Sequence, residues 1–387
     1  MTQSETARNA KAEWVIRRRG VIAFLALVGI ASTAHGLVGG QRPAAILVFP
    51  EIAVQGDAGE IQDTEIELIN SADHAVAAMC FYVNGLGNCS ADQLPCADDP
   101  DCINGQTCVF QCRETDFIIQ LTPRQVVGWR ANQGLVSLPC NFAPCGAGGD
   151  TNRGLIPPVS EVPFHGKLKC VELSTEDEVP PLVPVARNDL LGKATIIKSP
   201  APGPDVSAYT AIGIEAVGPN NGDKTLCLGQ DASGACAAAE YAPCPGVLTV
   251  NHFFDGAMVE GSVVHSSFVL LPCSEDFLTQ QPVDAGVLVS VRNEFEQLFS
   301  LSRSVSCWKD LELASDPIFS IGVQGTLTGQ SRIQGVQPDN PDVQQALLGV
   351  VNEAHDFGGN GGREADYHLS VQGLSAHADI IQLPPSP

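Results

Sequence analysis

Fourteen cysteines, no two of them three positions apart, constrain this 387-residue chain more than any other feature. Zinc knuckles and thioredoxin-type redox sites both need a C-x-x-C, so neither is encoded. The count is even, and every cysteine lies at or beyond Cys80. Such a set reads as a disulfide framework if the chain reaches an oxidising compartment.

The N-terminus points to that compartment. Arg17, Arg18 and Arg19 precede an apolar stretch from Gly20 to Ala31, and the small residues Ser32 and Ala34 then mark a cleavage point before His35. This is the layout of a secretory signal over residues 1–34. About 13 apolar residues are too few to span a hydrocarbon core, so no retained transmembrane segment is expected. Arg18-Arg19-Gly20-Val21-Ile22 also suits twin-arginine export. Secretion to the periplasm, the medium or the cell surface follows.

Residues 1–34 carry five basic and two acidic side chains, so the formal charge moves from −23 to −26 when they are removed. That excess argues against binding nucleic acid through phosphates. Hydrophobic residues at 44% suffice for a core. With 38 Gly and 27 Pro against 17% charged residues, short strands and turns are favoured over long helices.

Period-2 alternation bears this out along the chain. It is visible at Thr64–Leu68, at Phe117, Ile119 and Leu121, and at Val287, Val289 and Val291. Turn clusters separate the runs, including Asn84-Gly85 and Pro219-Asn-Asn-Gly222. Val343–Val351 has a faint helical face, but Gly349 in its interior favours a strand or short turn.

A repeat also emerges. Ile46–Pro50 and Phe268–Pro272 are apolar runs closed by Pro, each followed by a strand ending in Asn, at Asn70 and Asn293. Cys80-Phe81 and Cys307-Trp308 come next, and Leu190-Leu-Gly192 and Leu347-Leu-Gly349 later. The expectation is an all-β chain of two Ig-like antiparallel β-sandwich units, over residues 35–217 and 218–387. A small disulfide-rich insertion at about residues 89–112 interrupts the first.

The segments Thr64–Asn70, Val76–Tyr82, Thr115–Gln125 with Trp129, and Asn293–Gln297 through Cys307-Trp308 carry a family resemblance. The chain resembles functionally uncharacterised secreted bacterial proteins built from Ig-like β-sandwich units. That likeness implies extracellular sandwiches and no catalytic residues. Within the insertion, Cys96, Cys102, Cys108 and Cys112 are similar to the D-C-x-x-G-x-x-C repeats of extracellular proteins. Only three residues separate the last two, a shorter gap than those repeats carry, which leaves the pairing open.

A boundary near residue 220 puts nine cysteines before it and five after. Both numbers are odd, so complete oxidation requires a bridge between the halves or a different boundary. Cys273 and Cys307, each next to a strand, are the expected pair in the second half, and Cys80 with Cys170 in the first.

Candidate chemistry is sparse. Asp98, Asp99, Asp101 and Asn104 crowd the insertion and offer oxygen ligands for Ca²⁺, but without EF-hand spacing they read as a solvated acidic turn. His355-Asp356 and Asp366-Tyr-His368 flank Gly358-Gly-Asn-Gly-Gly362, a possible lid beside acid–base groups. No H-E-x-x-H, G-x-S-x-G or G-x-G-x-x-G supports an active site there. His252 and His265 would make a metal pair only if the fold joined them. Trp129 and Trp308 read as core aromatics of their respective units. The reading is an exported structural, adhesive or binding protein, not an enzyme, with no cofactor and with an unknown protein or glycan ligand. The alternatives are a secreted hydrolase or metal enzyme using the His/Asp segment and a protease inhibitor acting through the Cys-rich loop.

Overall fold

The computed structural model describes residues 38–39, 42–57, 60–97, 99–135, 156–199, 204–231, 234, 236–358 and 361–385. The proposed signal segment lies outside them, as do Asp98, Cys140 and Cys145.

The first half is built from β1 (Ile46–Asp57), β2 (Glu60–Asn70), β3 (Val76–Asn84), β4 (Glu114–Leu121), β5 (Val126–Arg130), β6 (Phe164–Leu173), β7 (Leu190–Ser199), β8 (Asp205–Thr210) and β9 (Ile212–Ile214). A front sheet runs β9-β1-β6-β3-β4, all antiparallel. The end of β1 pairs with β2 only at residues 55–57. There the chain turns into a back sheet ordered β8-β7-β2-β5. The core between the layers holds Leu47, Phe49, Ile66, Leu68, Tyr82, Phe117 and Trp129.

The other face of the front sheet is buried too. Ile46, Val48, Met79, Phe81 and Val171 pack against Leu226, Tyr241, Phe277, Leu348 and Ile381 from the second half. All nine residues of β3 are therefore buried, which is why Val-Ala-Ala-Met-Cys-Phe-Tyr-Val-Asn shows no alternation. Phe81 and Phe277 stack at 3.8 Å between ring centroids.

The second half comprises β10 (Thr225–Leu228), β11 (Pro245–Phe253), β12 (Ser262–Pro272), β13 (Glu275–Asp276), β14 (Asp284–Asn293), β15 (Leu298–Ser306), β16 (Lys309–Glu312), β17 (Thr328–Gln337), β18 (Leu347–Asp356), β19 (Gly362–His368), β20 (Ser370–Leu374) and β21 (Asp379–Gln382). Its outer sheet runs β15-β14-β17-β11-β20 and its inner sheet β12-β18-β19, with β16 on β12. Val250, Phe254, Phe268, Val289, Phe319 and Ile333 fill the space between. The strands β10, β21 and β13 form a small sheet whose Leu226 and Ile381 cover the front sheet.

The fold is all-β. Its α-helix content among the described residues is the four-residue turn Ile321–Gln324. The Val343–Val351 stretch is split between a short strand, Asn340–Gln344, and the start of β18. The repeat is matched in part. Asn70 and Asn293 are buried equivalents at strand ends, and both Leu-Leu-Gly runs open a strand. By contrast, Ile46–Pro50 begins β1 whereas Phe268–Pro272 ends β12. Cys80 sits inside β3, whereas Cys307 lies beyond the end of β15.

Candidate functional site

The insertion is closed by Cys89–Cys102 and Cys96–Cys108. Its carboxylates serve the loop itself: Asp99 Oδ1 accepts from the Cys108 amide at 2.7 Å and Asp101 Oδ2 from the Ala97 amide at 2.7 Å. This is the ordinary local role of Asp in turns. The side chain of Asn104, like Asp98, is outside the described residues. No trio of carboxylates has its oxygens within 4.8 Å of one another among the described residues; the close trios there are Cys89/Cys96/Cys102 and Cys244/Cys273/Asp379, whose sulfurs are in cystines.

Cys80 is bonded to Cys170 across adjacent front-sheet strands. Cys273 and Cys307 are not a pair: Cys273 bonds Cys244 and Cys307 bonds Cys112. The strands preceding them belong to opposite layers, β12 to the inner sheet and β15 to the edge of the outer one. Cys112–Cys307 bridges the halves, one of the two outcomes that the odd counts allow. Both its cysteines take left-handed backbone, φ 48° and 59°, which turns the chain sharply at each anchor.

That bridge holds the insertion beside β16, and Lys309 Nζ donates to the Ala97 carbonyl at 3.0 Å. Between them lies a cleft of about 460 Å³ lined by Leu86, Asp101, His165, Arg303, Trp308 and Asp310. A second cavity of about 340 Å³ is lined by Lys198, His265, Ser267, Asp310 and Asn352. Asp310 is common to both.

Behind Asp310 the two halves of the chain meet at a polar seam. Glu51 on β1 is buried, with one carboxylate oxygen lacking a hydrogen bond. Burial raises its pKa well above the carboxylate range, and the charges of Asp366 and Asp310 push the same way. Burial also raises Asp310, against the Ser267 hydroxyl. It lifts Asp366 to about 6, with Ser207 opposing. Burial works against the charge on Lys198, but its ion pair with Glu364 at 2.5 Å prevails and raises it. Tyr209 pins the Glu51 backbone, donating to its carbonyl and accepting from its amide at 3.0 Å.

The His/Asp segment is divided by strand periodicity. On the β18–β19 hairpin, His368 pairs with Val350 and Asp366 with Asn352, so both face the first half, as does Asp356. His355 falls on the opposite face, against Ser262 at 2.9 Å and Glu353 at 3.1 Å. Asp356 is exposed and accepts from the Gly358 amide at 2.7 Å. His368 meets Thr210 of β8 at 3.0 Å. The four do not converge. His252 is buried against Ser331 at 2.7 Å, whereas half-exposed His265 bonds Asp255 at 2.7 Å, so these two are not a ligand pair either.

Trp129 is a core residue whose Nε1 donates to the Tyr82 hydroxyl at 2.6 Å. Trp308 corrects the expected symmetry, since it joins the first-half core and donates to the Pro50 carbonyl at 2.7 Å. The Lys167–Lys169–Glu275 triad, absent from the sequence reading, is fully enclosed. Lys169 Nζ donates to Glu275 at 3.3 Å and to the Cys273 carbonyl at 3.0 Å, and Lys167 also contacts Glu275. Burial lowers the Lys169 pKa to about 8 despite Glu275. The alternating Lys-Leu-Lys reads as a solvated face, and only the second half covering the front sheet makes it interior.

No family model and no curated protein matches the chain. Among solved structures, one described as "Crystal Structure of Thermotoga maritima 1070" aligns at 11% identity over 34% of this chain and 98% of that one, with a TM-score of 0.25. At that score the likeness carries no argument about fold or function. The cystines match an oxidising environment. No helix of the described residues is long and apolar enough to cross a membrane.

Proposed function

We propose that this is an exported, non-catalytic adhesive or structural protein that uses the cleft beside its Cys-rich insertion to contact a protein or glycan. In this reading residues 1–34 direct export, and the cystine-bound sandwiches hold the cleft on a rigid support. The observation that carries it is the Cys112–Cys307 anchor, which ties a loop module with little core of its own to the second sandwich. The division of the His/Asp segment between two strand faces favours binding over hydrolysis.

The test is co-sedimentation of the purified, oxidised mature protein with cell-envelope preparations and with insoluble polysaccharides. Arg303 and Glu312 both line the cleft, and saturable binding that an Arg303→Ala/Glu312→Ala variant loses supports the proposal. Absence of saturable binding, or binding indifferent to this pair of cleft residues, overturns it.

A further inference from the structure

We infer that the seam between the two sandwiches is an acid-closed joint: its buried carboxylates hold the halves together when protonated and let them part when ionised. The geometry is an interface with too few cations. The first half brings Glu51, Asp205 and Lys198; the second brings Asp310, Glu312, Glu364 and Asp366, with Lys309 beside them. Six carboxylates thus face two lysines. Lys198 pairs with Glu364, and Lys309, which donates to the Ala97 carbonyl, lowers Asp310 but does not outweigh its burial.

The histidines on these strands supply no compensation. Burial lowers both His165 on β6 and His368 on β19, so the neutral ring is favoured. His265, on β12, is engaged by Asp255. Tyr209 on β8 is held by the Glu51 backbone, and burial raises its pKa, so it stays a neutral hydrogen-bonding group. Relieving the charge of the enclosed Glu51, Asp310 and Asp366 carboxylates therefore requires protons.

The sign follows from linkage. Burial raises Glu51, Asp310 and Asp366 in the folded chain, the last to about 6. The closed seam keeps protons that these groups release once unburied above their ordinary range near ~4. Closure is strongest in acid and weakens as pH climbs through about 6. Because Cys112–Cys307 ties the halves elsewhere, weakening swings β8 away from β19 and does not separate the molecule.

Hydrogen–deuterium exchange of the full disulfide-intact protein tests this, with rates corrected for intrinsic pH dependence. Amides of residues 205–210 and 362–368 should lose protection by about tenfold or more between pH 5 and pH 8, the factor that one unit of differential pKa supplies. A Glu51→Gln/Asp366→Asn variant should keep its protection at pH 8. Equal protection of the wild type at both pH values, or a variant as pH-sensitive as the wild type, overturns the inference. Should the variant fail to fold, the wild-type profile decides: a midpoint near 6 supports the joint, and a loss confined above pH 8 refutes it.

Discussion

Asn70 and Asn293 each end a strand, are buried, and satisfy the chain they turn. Asn70 Nδ2 donates to the carbonyls of His74 and Thr122, while its Oδ1 accepts from the Ala72 amide. Asn293 does the same with the Gln324 carbonyl and the Phe295 and Gln297 amides. An alanine leaves those groups unpaired in the interior, so Asn70→Ala and Asn293→Ala should each lose about 1–3 kcal/mol in urea denaturation. The Lys167–Lys169–Glu275 triad is more demanding. Glu275→Gln strands two buried ammonium groups and should cost about 3–5 kcal/mol, since breaking a buried pair leaves charge without compensation. Glu172 behaves oppositely. Burial and the adjacent Asp189 charge raise its pKa to about 9, so the folded chain keeps its proton where the unfolded chain has lost it. Its contribution to stability therefore falls as pH rises from the ordinary carboxylate range toward 9. Glu172→Gln should be more stable than wild type at pH 8 and no different at pH 4, read from paired urea curves.

At the scale of elements, the front sheet is covered on both faces, as is the inner sheet, whose Val269 and Val350 enter the first-half core and Phe268 and Val351 the second. In the front sheet, strand β3 lacks polar alternation, and the Phe81–Phe277 stack reaches from it across the layers. Phe81→Ala empties the stack with Phe277 and removes a side chain wholly out of solvent. A loss of about 3–5 kcal/mol in urea denaturation is expected from the removed burial and the cavity left behind. Gly349 shows how tightly β18 is applied: a Cβ there would lie 2.2 Å from the Val269 carbonyl oxygen on the neighbouring strand. The strand periodicity of the β18–β19 hairpin, which in sequence reads as a loop between His/Asp groups, separates His355 from Asp366. Four residues close along the chain were readable as a constellation, but the pleat distributes them between two environments.

For the whole molecule, the parity of the cysteines called for a bridge between halves or a different boundary, whereas the partners of that bridge depended on which strands lie at the edges. Cys112→Ser/Cys307→Ser should lose about 2–5 kcal/mol, as removal of a native bridge commonly does. It should also speed proteolysis within residues 89–112 while the Cys89–Cys102 and Cys96–Cys108 bonds persist, which peptide mapping would show. A variant as resistant as wild type would mean that the insertion is held by its other contacts.

The all-β class, the strand ends at Asn70 and Asn293, the Cys-rich insertion and the odd cysteine counts on either side of residue 220 were all legible, because they depend on local propensity, periodicity and counting. The burial of Lys167 and Lys169, the transfer of Trp308 into the other core and the carboxylate seam were not. Those features arise where surfaces far apart in the chain are pressed together, and a residue's own neighbours in sequence carry no record of what will cover it. Local order thus determined which segments became strands; tertiary packing alone decided which of their faces met water and which met each other.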